Sequence, residues 1–289
     1  MAFNSTLIGN TPLLDMGGGV FAKFETYNPS GSVKDRIVHY ILERAFMGGN
    51  LKEGDTIIEA TSGNTGISTS MFGSTMGCKI NIVMPCNMSE ERKQMMRLFG
   101  AHIIEVGEGD FEGAIELRDE MAVDNNWFNL NQFHNPLNVE CHYNTTGEEI
   151  LKQIGNKKIE ALILGTGTGG SLMGISRKLK TAFPDLKVVV VEPAESPVMS
   201  GGNPGIHGIQ GIGDGSKFLV NMGEVDSIEV VSTKDAKNRA KKLLKNGLLV
   251  GISSGANVLA SERWVERHKP KGKVITMLCD RGERYLSIL

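Results

Sequence analysis

The sequence predicts an α/β protein with at least two wound units. Short apolar runs alternate with longer helical patterns, two of the runs are almost continuously apolar, and three glycine-rich loops lead from extended segments into helices. Continuous apolar strands are the kind that a parallel sheet buries on both faces. At 289 residues, 40% of them hydrophobic, the chain has enough core for one large domain or two smaller ones.

Taken in order, "DTIIEA" reads as a strand that passes through "TSGNTG" into a helix, where Ile67, Met71, Phe72 and Thr75 recur at helical spacing. "INIVM" is a buried strand. Ser89 is the predicted N-cap of "SEERKQMMRLFG", with two acids in its first turn and Gly100 as its stop. "AHIIEV" is a further strand and "FEGAIELRDEMAVDN" a further helix. After the loop-like "NLNQFHNPLN", Thr146 and Glu149 stand at capping-box spacing before "EEILKQI". "IEALILG" and "LKVVVVEP" are strands with a helix from near Gly170 between them. The helical "AKNRAKKLLKNG" and "ANVLASERWVERH" and the strand "KVITML" complete the series.

Composition excludes several classes. With 31 Lys and Arg against 33 acids the net charge is -2, which gives no footprint for nucleic acid. Cys78, Cys86, Cys141 and Cys279 show no CxxC spacing, so neither a zinc site nor a disulfide framework is expected, and no metal site is assigned. "MAFNSTLIGNTPLL" lacks the basic and apolar regions of a signal peptide, and no uncharged apolar run reaches the roughly 18 residues of a membrane span. The expectation is a cytoplasmic protein without a membrane partner.

The chemistry concentrates in the loops. In "GTGTGG", Gly165–Gly170, absent side chains let the backbone approach an anion while the following helix directs its N–H groups at it. The loop also fits the dinucleotide fingerprint through Gly165, Gly167 and Gly170, with Glu192 placed as a ribose-binding acid. From the loop alone, both guests stay open. "TSGNTG" offers the hydroxyls of Thr61, Ser62 and Thr65 and the Asn64 amide at a helix start, a set that suits a small carboxylate or plain N-capping. "GISSGAN" repeats the arrangement with Ser253 and Ser254. In "NPSGSVKDR" small residues frame Lys34 at the start of a helix. That framing, with three such loops, favours a cofactor bearing a phosphate, a ring and an aldehyde.

The motifs "NPSGSVKDR", "EATSGNTGIS", "MSEERKQMMRLFGA", "NQFHNP", "HYNTTGEEI", "GTGTGGSLMG", "VEPAESPVMSGGNPGIHGIQGIG", "GISSGAN" and "RGERYLS" occur in an order that resembles the cysteine synthase (O-acetylserine sulfhydrylase) and cystathionine β-synthase family. These are fold-type II enzymes, similar to the tryptophan synthase β subunit, that use pyridoxal 5′-phosphate. The resemblance spans nearly the whole chain and displaces the dinucleotide reading, because a motif counts only in its context. It implies two wound α/β domains with mainly parallel sheets and the active site between them. Residues 1–34 and 133–289 would form the larger, cofactor-binding domain, and 35–132 a smaller mobile domain carrying TSGNTG.

By the same resemblance Lys34 forms the Schiff base with the cofactor, Gly167, Thr168, Gly169, Gly170 and Ser171 hold its phosphate, and Asn64 bonds its ring hydroxyl. Ser253 faces the pyridine nitrogen, with Ser254 as the neighbouring alternative. Thr61, Ser62, Thr65 and Gln132 cradle the substrate carboxylate. Gly211 and Asp214 belong to the substrate side of a loop, "SPVMSGGNPGIHGIQGIG" and the residues after it, that closes over the site. A serine rather than a carboxylate at the ring nitrogen makes the ring a shallower electron sink, which favours loss of a β-substituent over transamination. The expected reaction is β-replacement through an α-aminoacrylate intermediate.

Where relatives commonly read GIGAGF, this chain reads "GIGDGS". An acid facing the cleft would disfavour an anionic leaving group and could receive an ammonium or orient water; a solvated loop acid is the plainer reading. The first expectation is therefore cysteine synthase, making L-cysteine from O-acetyl-L-serine and sulfide. The alternative is a β-replacement that consumes L-cysteine and releases hydrogen sulfide, giving serine, lanthionine or cystathionine. A non-catalytic sulfide or amino-acid sensor on the same fold is the contrasting class, against which the intact Lys34 and loops argue. Partners implied are small amino acids with sulfide or a thiol, a second copy in a homodimer, and, as in some relatives, serine acetyltransferase.

Overall fold

The computed structural model describes residues 5–61, 63–213 and 215–289. In chain order the strands are β1 (Leu13–Asp15), β2 (Val20–Phe24), β3 (Thr56–Ala60), β4 (Lys79–Pro85), β5 (His102–Val106), β6 (Phe128–Asn129), β7 (Ile159–Gly165), β8 (Lys187–Pro193), β9 (Ser227–Val231) and β10 (Lys273–Leu278). The helices are α1 (Lys34–Met47), α2 (Asn64–Thr75), α3 (Glu90–Leu98), α4 (Phe111–Asp124), α5 (Leu137–His142), α6 (Glu148–Ile154), α7 (Gly170–Lys180), α8 (Thr233–Lys245) and α9 (Ile252–His268). Among the described residues no helix is long and apolar enough to cross a membrane.

The chain divides into two compact units. One holds Asn28–Leu137 with the described residues before Gly9; the other holds Gly9–Tyr27 and Asn138–Leu289. In the first, a parallel sheet runs β5-β4-β3-β6. Adjacent residues of β4 face opposite ways. Ile82 and Met84 pack with Ile67 of α2 and Met96 of α3, while Val83 packs with Ala114 and Ala122 of α4. Both faces are therefore covered, and the run "INIVM" is apolar because neither side meets water.

In the second unit the sheet runs β1-β2-β10-β7-β8-β9, parallel except where β1 pairs antiparallel to β2. Ala161, Ile163, Val189 and Val191 pack against Ala256, Ala260 and Trp264 of α9. Leu162, Val188 and Val190, on the opposite face, are equally buried. Strands β7 and β8 run in register, Leu162 opposite Val188, so that β7 ends at Gly165 where the glycine-rich loop begins.

Two capping expectations need correction. Ser89 occupies the N-cap of α3, but its buried hydroxyl makes no capping bond. The Thr146–Glu149 capping box does not form. A π-helical turn over Tyr143–Gly147 joins α5 to α6, so no helix start exists there to be capped. Thr146 Oγ1 instead meets His142 Nδ1 at 2.9 Å, and Glu149 pairs with the buried Lys23 at 2.6 Å.

Candidate active site

Lys34 opens α1, after a turn in which Gly31, at φ 86°, donates its N–H to Asn28 O. The lysine side chain is half-buried, and among the described residues its Nζ has no ion-pair or hydrogen-bond partner. The next residue holds the loop. Asp35, fully buried, accepts the Ser30 N–H at 2.6 Å and the hydroxyls of Ser30 and Ser68. A carboxylate is acceptor-only, so three converging donors suit it.

Ser68 lies on α2, whose N-terminus carries the TSGNTG loop. Here Thr65 Oγ1 donates to Gln132 Oε1 at 2.6 Å, which brings together two residues predicted to hold the same carboxylate. Gln132 Nε2 donates to Ala60 O at 3.2 Å, and its backbone N–H to Glu59 Oε2 at 3.0 Å. Glu59 is itself paired with the buried Arg118 at 3.0 Å. Burial pushes the Glu59 carboxyl up; the Arg118 charge and the N–H groups of Gln132 and Ala60 oppose that. Thr61 accepts the Gly63 N–H at 3.3 Å, and Asn64 begins α2. Ser62 lies outside the described residues.

In the second unit the glycine-rich loop is pinned at both ends. Asn257 of α9 accepts the Gly165 N–H at 2.8 Å and donates to Met277 O of β10. Gly169, at φ 87°, occupies the N-cap of α7, and no side chain caps that helix. Asn138 Nδ2 donates to Thr168 Oγ1 at 3.0 Å, and Asn138 lies so close to Gly170 that a Cβ there would stand 1.9 Å from its Oδ1. Ser171 Oγ meets His142 Nε2 at 3.0 Å.

The expected closing loop reaches this place. Gly213 N–H donates to Thr166 O and Leu219 N–H to Thr168 O, each at 3.0 Å, so the segment containing Gly211 lies against the loop of Gly167–Ser171. Asp214 lies outside the described residues. Glu192, the acid of the dinucleotide fingerprint, instead accepts the N–H groups of Met199 and Ser200 and the Ser200 hydroxyl. It ties down the start of the closing segment. At the head of α9, Ser254 Oγ accepts the Cys279 N–H at 2.9 Å, whereas the hydroxyl of the buried Ser253 has no bond to a described residue.

These features suit pyridoxal phosphate. The loop before α7 presents N–H groups and hydroxyls at an uncapped helix N-terminus, where a phosphate dianion is favoured. Lys34 supplies an amine without a competing carboxylate partner among the described residues. Sequence reading assigned no role to Asp35, Glu59, Arg118, Asn138, His142 or Asn257. Each of them acts through a residue distant in sequence, which no local pattern signals.

The family of pyridoxal-phosphate dependent enzymes matches residues 5–280. A cysteine synthase of Staphylococcus aureus is 40% identical over 296 aligned positions, covering 97% of this chain and 94% of that one. A hydrogen sulfide-producing enzyme of Fusobacterium nucleatum superposes with a TM-score of 0.93 at 39% identity, covering 98% of this chain and 89% of its own. A cysteine synthase of Entamoeba histolytica gives a TM-score of 0.91 at 38% identity, covering 98% and 88%.

Proposed function

The chain belongs to the pyridoxal-phosphate dependent enzymes, and on that premise we propose that it is a cysteine synthase, replacing the acetoxy group of O-acetyl-L-serine by sulfide. The observation that carries the reading is Lys34, an unpaired amine among the described residues, in a chain that also holds a glycine-rich loop at a helix N-terminus whose N-cap, Gly169, has no side chain to cap it.

Lys34 is the residue proposed to hold the cofactor and then to take the substrate Cα proton. Gly167, Thr168, Gly169, Gly170 and Ser171 hold the phosphate, with Asn138 and His142 fixing the hydroxyls of Thr168 and Ser171. Ser253 faces the ring nitrogen, a choice supported by the engagement of Ser254 with Cys279. Asn64 bonds the ring hydroxyl. Thr61, Ser62, Thr65 and Gln132 receive the substrate carboxylate, with Gly211 in the segment that excludes water. Bound pyridoxal phosphate supplies a carbonyl to capture the substrate amine and a ring that spreads negative charge from Cα. With the proton moved from Cα to the Lys34 amine, the acetate would leave Cβ, sulfide would take its place, and the Lys34 ammonium would return the proton to Cα.

A second reading, release of hydrogen sulfide from L-cysteine, is favoured by Asp214 in "GIGDGS" and by the likeness to a hydrogen sulfide-producing enzyme. The proposal extends to a homodimer acting in the cytoplasm, and to a serine acetyltransferase as the partner to test. Residues 1–34 and 133–289 as a cofactor-binding domain, with 35–132 as a mobile one, belong to the same proposal; the compact units divide the chain differently, with residues 28–34 and 133–137 in the unit that holds 35–132.

One experiment tests the chemistry. Cofactor-loaded protein receives either O-acetyl-L-serine with sulfide, or L-cysteine alone, and the amino-acid products are identified by mass spectrometry. Cysteine formed in the first sample supports the main reading. Faster sulfide release with serine or lanthionine in the second moves the alternative ahead, and no turnover in either overturns both.

A further inference from the structure

Glu59 and Arg118 form an ion pair with both side chains wholly excluded from solvent. Such pairs are weak sources of stability, because desolvating two charges offsets most of their attraction. Their geometry here serves a neighbour. Gln132 follows Asn131, which stands at φ 52°, beyond the end of β6 at Asn129, so no strand ladder fixes its backbone. Glu59 does so across 73 residues of sequence: Oε2 accepts the Gln132 N–H at 3.0 Å, while Oε1 accepts the Ala60 N–H at 2.8 Å and Arg118 Nη1 at 3.0 Å. Arg118 is in turn oriented through Nε by Asp119 at 2.9 Å, and Asp119 also accepts from Asn129. With its backbone held, the Gln132 amide has one orientation, donating to Ala60 O and accepting from Thr65.

We propose that the Glu59–Arg118 pair is a positioning device for substrate recognition: it sets Gln132, and through it Thr65, in the geometry that receives the α-carboxylate of the amino-acid substrate. The inference rests on the reading of Gln132 and Thr65 as carboxylate ligands. Neither Glu59 nor Arg118 touches substrate. Loss of the pair therefore weakens capture of the carboxylate and leaves the chemistry at Lys34 nearly intact, so that KM rises while kcat changes little.

The test uses the cofactor-loaded full-length chain. Removing one charge strands the other and risks misfolding, so the informative variant is the double substitution Glu59→Gln with Arg118→Met, which removes both charges at similar volume. The probe is L-alanine, which has the carboxylate but no β-leaving group; its dissociation constant is read from the visible absorption of the bound cofactor. Gln132→Ala is measured in parallel. The expected result is about a tenfold weaker affinity for L-alanine in both variants, about 1.4 kcal/mol. In the double variant a matching rise in KM for O-acetyl-L-serine is expected, with kcat within about threefold and cofactor affinity unchanged. If Gln132→Ala weakens L-alanine binding and the double variant does not, the positioning role is overturned while the site stands. If Gln132→Ala itself binds L-alanine normally, the carboxylate site is overturned and the inference falls with it. If the double variant does not fold, Arg118→Lys, which keeps a charge opposite Glu59 but loses the planar guanidinium shared between Glu59 and Asp119, is measured by the same criteria.

Discussion

Asp35 and Ser68 are hydrogen-bonded in the interior of one unit, the carboxylate at the first turn of α1 accepting the hydroxyl on α2. The same carboxylate closes the Ser30–Lys34 turn through the Ser30 N–H and hydroxyl. The proposed cofactor-holding amine and the helix that begins at the TSGNTG loop are thus fixed by one buried anion. Asp35→Asn tests this. An amide places an NH2 donor where the carboxylate meets only donors, and the expected cost is about 2 kcal/mol in urea unfolding. Retention of parental stability and of cofactor affinity would remove Asp35 from the account.

Gly170→Ala should damage cofactor binding more than folding. The added methyl would meet Asn138, the residue that orients Thr168. Overpacking of about 1–3 kcal/mol, expressed at this point in the loop, corresponds to a loss in pyridoxal phosphate affinity of about 5- to 150-fold, measured by absorption titration. Unchanged affinity would mean that the loop before α7 does not hold the phosphate.

Ser253→Ala and Ser254→Ala should separate. The second strips the Cys279 N–H of its acceptor and lowers stability by about 1 kcal/mol with little spectral change. The first should shift the visible absorption of the bound cofactor and reduce turnover while leaving the unfolding midpoint in place. The reverse pattern would assign the ring nitrogen to Ser254.

Arg177 and Glu224 form a two-pronged pair, with contacts of 2.7 and 3.0 Å, and the guanidinium hydrogen bond holds the Glu224 carboxyl below its ordinary range. A carboxyl depressed in the folded state adds stability above its unfolded value, about 4.3, and loses it as pH falls through the folded value. Glu224→Gln should therefore cost at most about 0.5 kcal/mol near neutral pH, since the pair is part-exposed, and nothing in strong acid. Urea midpoints measured across that range check the sign.

The strands that sequence reading found are β4, β7, β8 and β10, with the longer apolar runs, and β3 and β5, each an isoleucine pair beside a turn or helix signal. It missed β2, where the buried Lys23 breaks the apolar pattern. Its ammonium is satisfied by Thr11 O at 2.6 Å, Gln153 Oε1 at 2.8 Å and Glu149, partners that no local window contains. The strands β1 and β9 stand at sheet edges and β6 has two residues, too little for periodicity to register. The Thr146–Glu149 spacing misled because a continuous π-helical turn removed the helix start that it would have capped. The loops and Lys34 were legible since their chemistry lies in contiguous residues. Glu59 and Arg118 were not, being 59 residues apart and joined only by the fold.

The most direct test of the account is where the cofactor is held. Borohydride reduction of pyridoxal phosphate-loaded protein fixes the cofactor's carbonyl carbon to the amine that bears it, and peptide mass spectrometry then locates the added mass. The added mass is expected on Lys34, with none in Lys34→Ala. Attachment at another lysine, or no attachment in protein saturated with cofactor, would contradict it.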